Sequence, residues 1–374
     1  MTKVSIILPC RNEEKTIAIC IRKIKAGMQK INMSEYEIIV SDSSVDDSPD
    51  IAKRSGAKVV KHDKEGYGYA LLEGFKIAKG DYLIMADADD TYDFLDIDRF
   101  IKELDKGYDL VIGSRFKGKI KDGAMPWLHK YIGNPMLSLI LSLLFGKKIS
   151  DSHSGFRAIK RDSFEKLDLK TKGMEFASEM IIKAIKKNIK IKEIPIIYHK
   201  RIGESKLESF NDGWKHLRFM LLYSPNFLFL IPGLLFFIFG IIILFVFTLG
   251  PARLLGINFD IHPSLLGSLF SIMGYQILML WLFTKTFLYT TLDEKSKFLT
   301  KFYKILNLEK TLMVGLFIFL MGLIINLYIL YFWLITDLGE LNTLRFAILA
   351  STIIILGIQT IFGGFFISIL GIKK

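Results

Sequence analysis

The run Leu234-Leu-Phe-Phe-Ile-Phe-Gly-Ile-Ile-Ile-Leu-Phe-Val-Phe247 carries no polar side chain, and such a surface cannot face water. Three further segments are similarly apolar. The four cover about 226–249, 264–288, 312–335 and 346–370, each about 20 residues or longer, the length a helix needs to cross a hydrocarbon core. A membrane domain of four transmembrane helices is therefore expected over 226–374. Composition changes at the same place. Residues 1–225 carry 40 Lys+Arg and 32 Asp+Glu, whereas residues 226–374 carry only 10 and 6. The first part is long enough for one α/β domain with its own core.

Basic residues in short loops set the expected orientation. Lys295, Lys297, Lys301, Lys304 and Lys310 lie between the second and third spans, and Lys373 and Lys374 end the chain. The other two loops hold one basic residue each, Arg253 and Arg345. The expectation is a multi-pass protein of a cell membrane. Its N-terminal domain, its 289–311 loop and its C-terminus would all be cytoplasmic. Residues 1–9 run straight into a strand, Val4 to Leu8, so no signal peptide is expected. Cys10 and Cys20 are the only cysteines, which fits a reducing compartment without a disulfide framework. The net charge of +12 suits anionic lipid headgroups, and no recognition motif supports nucleic-acid binding.

Strands and helices alternate through the first half, the signature of a mostly parallel α/β sheet. Strands are expected at Val4–Leu8, Glu37–Ser41, Lys58–Lys61, Asp81–Ala86, Asp109–Gly113 and Ile191–Tyr198. Helices are expected at Glu13–Ile31, about Ser48–Ser55, Tyr67–Ala78, Leu95–Lys106 and Gly173–Asn188. Met136–Phe145 is too short to span; it reads as a core helix or, better, as one lying in the membrane interface. A basic amphipathic helix over 210–225 would lead into the membrane, leaving 1–209 as the cytoplasmic domain.

The stretch Asp81-Tyr-Leu-Ile-Met-Ala-Asp-Ala-Asp-Asp90 concentrates the chemistry. Strand residues alternate faces, so Asp87 and Asp89 point the same way at the mouth of a parallel strand. Two such carboxylates suit Mg²⁺ or Mn²⁺ together with substrate phosphates; a turn or a helix cap is the competing reading. The first strand ends in Pro9-Cys-Arg-Asn-Glu-Glu14 and the second in Ser41-Asp-Ser-Ser-Val-Asp-Asp47. Ligands of open parallel sheets bind outside such strand ends. Asp42 could meet a nucleobase or ribose, or close an Asx turn, and Ser48 is expected to cap a helix. Gly66 and Gly68 fail the G-x-G-x-x-G pattern and are expected to let backbone approach a sugar or phosphate. Glu175 and Glu179 share a helix face, either toward sugar hydroxyls or toward solvent, and His153 could meet a phosphate or cap a turn.

Ile7-Leu-Pro-Cys-Arg-Asn-Glu13, Asp42, Asp87-Ala-Asp89, Gly113-Ser-Arg115 and Gly203-Glu-Ser-Lys-Leu207 occur in this order. The set resembles family 2 glycosyltransferases of GT-A fold, and within them the dolichol-phosphate mannose and glucose synthases and their undecaprenyl-phosphate counterparts. The resemblance covers residues 1–225. It implies inverting transfer of one hexose from a nucleotide sugar to a polyprenyl phosphate. By the same resemblance, Pro9, Arg11, Glu13 and Asp42 line the nucleotide and Asp87 and Asp89 hold the metal on the diphosphate. Arg115 binds the acceptor phosphate, and Asp89 and Arg115 are the catalytic pair. His129 stands where some relatives have Arg, Thr91 where mannose synthases carry Gln, and Ser43 where a second acid often follows Asp42. Met125–Pro135 and Ser150–Arg157 look more like the glucose-type branch, so UDP-glucose is favoured and GDP-mannose comes next.

The physics asks for no general base. A phosphate monoester has its second pKa near about 6, so the acceptor oxygen is already anionic at neutral pH. What must be supplied is charge neutralisation, for which Arg115, Arg157, Arg201 and Lys206 are the available cations. Another lipid acceptor, such as diacylglycerol, and a non-catalytic nucleotide-sugar-binding subunit are the alternatives. A processive synthase would need Gln-x-x-Arg-Trp, which the three glutamines Gln29, Gln276 and Gln359 do not provide. A flippase would place ionisable groups inside its spans, where only Lys285 stands out. The spans could support a homo-oligomer, anchor the catalytic domain or help move product.

Overall fold

The computed structural model describes residues 3–203, 209–254, 257–291, 301, 307–336, 338 and 343–371. The chain divides into two compact units, Met1–Tyr223 and Ser224–Lys374.

The first unit is built on β1 (Val4–Cys10), β2 (Tyr36–Asp42), β3 (Lys58–Lys61), β4 (Tyr82–Met85), β5 (Leu110–Ile120), β6 (Arg157–Lys160) and β7 (Ile191–Tyr198). They form one sheet in the order β3-β2-β1-β4-β6-β5-β7. Helices α1 (Ile17–Lys30), α2 (Ser48–Arg54), α3 (Tyr67–Ile77), α4 (Ile97–Asp105), α5 (Asn134–Phe145), α6 (Arg161–Leu167), α7 (Phe176–Lys186) and α8 (Ser209–Leu222) complete it. β1 shows why its strands read as near-continuous apolar runs. Ile6 and Leu8 enter one core with Ile21, Ile24 and Phe100, while Ile7 enters the other with Leu71, Met85 and Met180.

β6 pairs antiparallel with both β4 and β5, a feature the alternation pattern did not reveal. It matters for the site. The chain leaves β1 toward β2 in one direction and enters β4 in the other, which opens a crevice at the carboxyl ends of β1 and β4. An antiparallel strand starts where its parallel neighbours finish, and Arg157 is in register with Met85. The segment 150–156 therefore arrives at the edge where Asp87 and Asp89 leave β4. β7, parallel to β5, delivers residues 199–201 to that edge as well.

Helix α5 buries Leu137, Ser138 and Leu141 and leaves Met136, Leu139 and Leu143 exposed, so it is a core helix on one face only. Trp127 and Tyr131 just before it are also exposed.

The second unit holds four helices long and apolar enough to cross a membrane: Asn226–Leu249, His262–Thr290, Leu308–Ile335 and Leu344–Gly371. Small residues set their approach. A Cβ on Gly274 would lie 2.2 Å from the Phe237 amide nitrogen, and one on Gly357 would lie 2.5 Å from that of Phe319. The second and fourth helices share hydroxyl contacts, Ser268 with Thr352 at 2.7 Å and Tyr275 with Thr360 at 2.5 Å.

Candidate active site

β4 ends at Met85, and the chain turns through Asp87 to Asp90, where Asp90 takes a left-handed conformation with φ of 61°. Thr16 fastens this turn from the start of α1, its hydroxyl donating to the Ala88 carbonyl at 2.8 Å. Asp89 is buried; its Oδ1 accepts from the Thr91 hydroxyl at 2.6 Å and the Thr91 amide at 3.2 Å. Arg201 comes from beyond β7, donating from Nη1 to Asp89 Oδ2 at 2.9 Å and from Nη2 to Glu13 Oε1. Glu13, Asp89 and Arg201 are thus brought together from three distant parts of the chain.

Asp87 lies against the 152–155 segment so closely that a Cβ on Gly155 would sit 2.7 Å from its Oδ2. Burial, and then the neighbouring Asp89 carboxylate, push the Asp87 carboxyl up to about 7. The Tyr67 hydroxyl is buried beside Asp87 without a hydrogen bond of normal geometry; burial first and Asp87 next raise it well above the usual range. Two carboxylates that resist sharing negative charge are a fitting donor set for Mg²⁺ or Mn²⁺, which takes few protein oxygens and completes its shell with phosphates and water. Among the described residues no group of three or more His, Cys, Asp or Glu side chains converges for a metal, so a cation at Asp87 and Asp89 would depend on the substrate's oxygens.

Arg115 is expected to meet the acceptor phosphate, and two of its three guanidinium nitrogens are already engaged within the protein. Nε and Nη2 donate to the two oxygens of Asp151 at 2.7 and 2.8 Å, and its amide donates to Asp151 Oδ2 at 2.9 Å. Both side chains are buried, and the Tyr198 ring lies 5.2 Å from the guanidinium. Burial opposes the charge, yet Asp151 holds the Arg115 pKa above its ordinary value. Arg157, expected as a cation available to neutralise phosphate charge or as a solvated one, is neither. It is fully buried and donates to the carbonyls of Ser152, Ser154 and Ala177 at 2.8, 2.9 and 2.7 Å, fixing the segment that faces Asp87. Burial lowers its pKa to about 10.

The remaining candidates take other places. Pro9 is half-buried near the end of β1. Arg11 is exposed and pairs with Glu65 at 2.7 Å. Asp42 is fully buried and closes a turn, accepting from the Ser44 hydroxyl at 2.6 Å and amide at 3.2 Å. His129 opens a π-helical turn, His129–Gly133, before α5. Lys206 lies outside the described residues.

Four expectations need correction. Ser48 is not a cap: Asp47 holds that position, and Ser48 accepts from the Glu13 amide at 2.8 Å while donating to Asp46. Gly66 and Gly68 admit protein backbone rather than a ligand, since Cβ atoms there would lie 2.3 Å from the Lys172 carbonyl oxygen and 2.4 Å from that of Thr171. Glu179 faces neither sugar nor solvent. Fully buried, it accepts from the amides of Lys170 and Thr171, the Thr171 hydroxyl and Lys183. His153 caps nothing. Its ring meets Ser152 at 2.9 Å and stands edge-on to His216 at 4.2 Å, and its Nε2 is buried without a partner. Sequence reasoning passed over Asp151 and Gly155, although both lie inside the Ser150–Arg157 motif that it singled out.

Comparison with known proteins gives this geometry a family. Residues 5–168 match the model for glycosyl transferase family 2, and residues 282–371 match the family 2 C-terminal transmembrane region. The chain is 38% identical to the low-salt glycan biosynthesis hexosyltransferase Agl6 of Haloferax volcanii, over 98% of this chain and 89% of that protein. It is 30% identical to a dolichyl-phosphate hexose transferase of the same organism, over 56% and 88%. It is 32% identical to the dolichol-phosphate mannosyltransferase of Pyrococcus furiosus, over 55% and 59%. Its fold is similar to that of glucosyl-3-phosphoglycerate synthase from Mycobacterium tuberculosis, crystallised with Mn²⁺, uridine diphosphate and phosphoglyceric acid. The TM-score is 0.50 at 21% identity, covering 60% of this chain and 78% of that one. A GT-A-like domain joined to four candidate membrane helices makes this chain a multi-pass membrane protein and a member of glycosyltransferase family 2.

Proposed function

We propose that the protein transfers a single hexose, with inversion, from a nucleotide sugar to a dolichyl or undecaprenyl phosphate. The observation that carries the reading is the meeting of Asp87 and Asp89 with Arg201 at the crevice between β1 and β4. Anion-binding and cation-binding groups there stand side by side, as a reaction between two phosphate-bearing substrates demands. The relatives named dolichyl-phosphate hexose transferase and dolichol-phosphate mannosyltransferase support the acceptor class, and the one named a hexosyltransferase supports the transferred group. UDP-glucose is the favoured donor and GDP-mannose the next, as the glucose-like Ser150–Arg157 motif suggests.

In this mechanism an acceptor phosphate oxygen attacks the anomeric carbon from the face opposite the diphosphate. The new C–O bond forms as the bond to the diphosphate breaks, and the diphosphate leaves with the electron pair. No proton need be removed, because the monoester is anionic at neutral pH. Asp87 and Asp89 would hold Mg²⁺ or Mn²⁺, which when bound would stabilise the charge on the leaving diphosphate. Pro9, Arg11, Glu13 and Asp42 would border the nucleotide. Arg201, with His129 and Lys206, would receive the acceptor phosphate. Arg115, committed to Asp151, would position the site, leaving Nη1 for any direct phosphate contact. The exposed apolar face of α5, with Trp127 and Tyr131, would rest on the lipid surface, with the catalytic unit on the cytoplasmic side.

The test is transfer of labelled sugar into the organic phase by purified full-length protein with Mg²⁺ and either polyprenyl phosphate or diacylglycerol. UDP-glucose, GDP-mannose and UDP-N-acetylhexosamine are offered separately. Label in lipid from one donor, abolished by Asp89→Ala, is the expected result. Protein that binds nucleotide yet labels only diacylglycerol, or nothing, would refute the polyprenyl acceptor.

A further inference from the structure

Arg201 does more than stand near the carboxylates. Its Nη1 occupies Asp89 Oδ2 at 2.9 Å, while Thr91 occupies Oδ1 through both its hydroxyl and its amide. Both oxygens of the carboxylate proposed to hold the divalent cation therefore already carry donors, and one of those donors bears a full positive charge. The second arm of the guanidinium is on Glu13. This is a built contact, not a drifting surface pair. The side chains of Glu13, Asp89 and Arg201 are 10%, 8% and 24% exposed. The backbone holds it as well: the His199 amide donates to the Thr91 carbonyl at 2.9 Å, and Tyr198 bridges Tyr92. The segment bearing Arg201 is thus pinned to the segment bearing Asp89. Arg201 Nε is buried without a hydrogen bond, so the fork still holds an unused donor.

We propose that Arg201 is a place-holding cation that couples the two substrates: it neutralises Asp89 and Glu13 until a metal–nucleotide arrives, and a phosphate monoester draws it away. The inference rests on the metal-dependent, phosphate-accepting reading above. A guanidinium and a divalent cation on one carboxylate oxygen repel each other, so binding of one weakens binding of the other. A phosphate monoester offers the planar guanidinium a doubly anionic, tetrahedral partner, two of whose oxygens can pair with the fork in place of the two acids. One arginine cannot do both at once. Acceptor phosphate therefore vacates Asp89 and favours the metal–nucleotide, and by linkage the metal–nucleotide favours the acceptor. The arrangement guards against donor hydrolysis, since the leaving diphosphate is fully held only once the acceptor phosphate is in place.

The experiment is calorimetric titration of full-length protein in detergent with Mn²⁺–UDP, and in parallel Mn²⁺–GDP, with and without farnesyl monophosphate. For wild type, farnesyl monophosphate should tighten the metal–nucleotide by about five- to tenfold, the lower range of allosteric couplings. Arg201→Met should bind the metal–nucleotide tightly at once and show no coupling. Arg201→Lys keeps one charge but cannot span both acids, and should retain only part of the coupling. Equal affinity in wild type and Arg201→Met, or weaker binding in the variant, would overturn the place-holding role while leaving the donor site intact. No binding of either nucleotide by either protein would remove the donor-site reading itself, and this inference with it.

Discussion

Arg115 and Asp151 form a bidentate ion pair sealed inside the first unit, one residue at the carboxyl end of the sheet and the other in the segment that leads into β6. Asp151 is held in turn by Glu193 on β7, which accepts from its amide at 3.2 Å and pairs with Lys117 at 2.7 Å. Removing one partner of such a pair strands a buried charge, at a cost of about 3–5 kcal/mol. Asp151→Asn should therefore lower the unfolding temperature of the detergent-solubilised protein sharply. Arg115→Met combined with Asp151→Leu should recover most of that loss, because no charge is left unpaired. Equal destabilisation by the single and double variants would mean that the pair is not a closed electrostatic unit.

Gly155 leaves the space in which the Asp87 carboxylate sits. A methyl group there would press on both carboxylate oxygens, at 2.7 and 3.0 Å. Gly155→Ala should displace Asp87 and reduce kcat/KM for the nucleotide sugar by at least about tenfold, equivalent to about 1.4 kcal/mol. The unfolding temperature should move little. Wild-type turnover in Gly155→Ala would show that the segment yields and that Asp87 is not held by it.

What could be read from the chain divides by range. The four apolar segments and the β/α alternation declare themselves through local periodicity, and Asp87 and Asp89 stand out as two carboxylates on one face at the end of an apolar run. The short β6 carries no such signal: Arg157-Ala-Ile-Lys160 opens and closes on basic residues, and only pairing with β4 and β5 makes it a strand. The Arg115–Asp151 pair spans 36 positions and the Arg201–Asp89 contact spans 112, beyond the reach of any spacing rule. Arg157 and Glu179 mislead for one shared reason. A charged side chain reads as solvated, and nothing local reveals that backbone carbonyls or amides await it inside.

Glu179 separates a structural role from a sugar-binding one. Its carboxylate satisfies the amides of Lys170 and Thr171, and Lys183 neutralises it from one helical turn away at 2.7 Å. The segment it holds is the one packed on Gly66 and Gly68. Glu179→Ala leaves those amides without their acceptor and should destabilise the protein by about 1–3 kcal/mol. KM for the donor should be unchanged at a temperature where the variant remains folded. A raised KM with unaltered stability would instead return Glu179 to the sugar site.

His216 gives the first unit a defined acid sensitivity. It sits on α8, accepts or donates a 2.9 Å hydrogen bond with Ser178 on α7, and packs edge-on against His153. Burial lowers its pKa from 6.5 to about 4, with Arg157 and Lys215 acting in the same direction and Asp212 opposing. The folded pKa lies below the unfolded one, so the unfolded chain takes up the proton first. The contribution to stability is complete above about 6.5 and is lost as pH falls toward about 4. His153, which burial and His216 also hold well below the usual range, acts in the same sense. Wild-type unfolding midpoints should therefore drop through this window. His216→Asn, which keeps a partner for Ser178 but does not titrate, should show a shallower fall. Parallel curves for the two proteins would mean that the acid sensitivity comes from other groups.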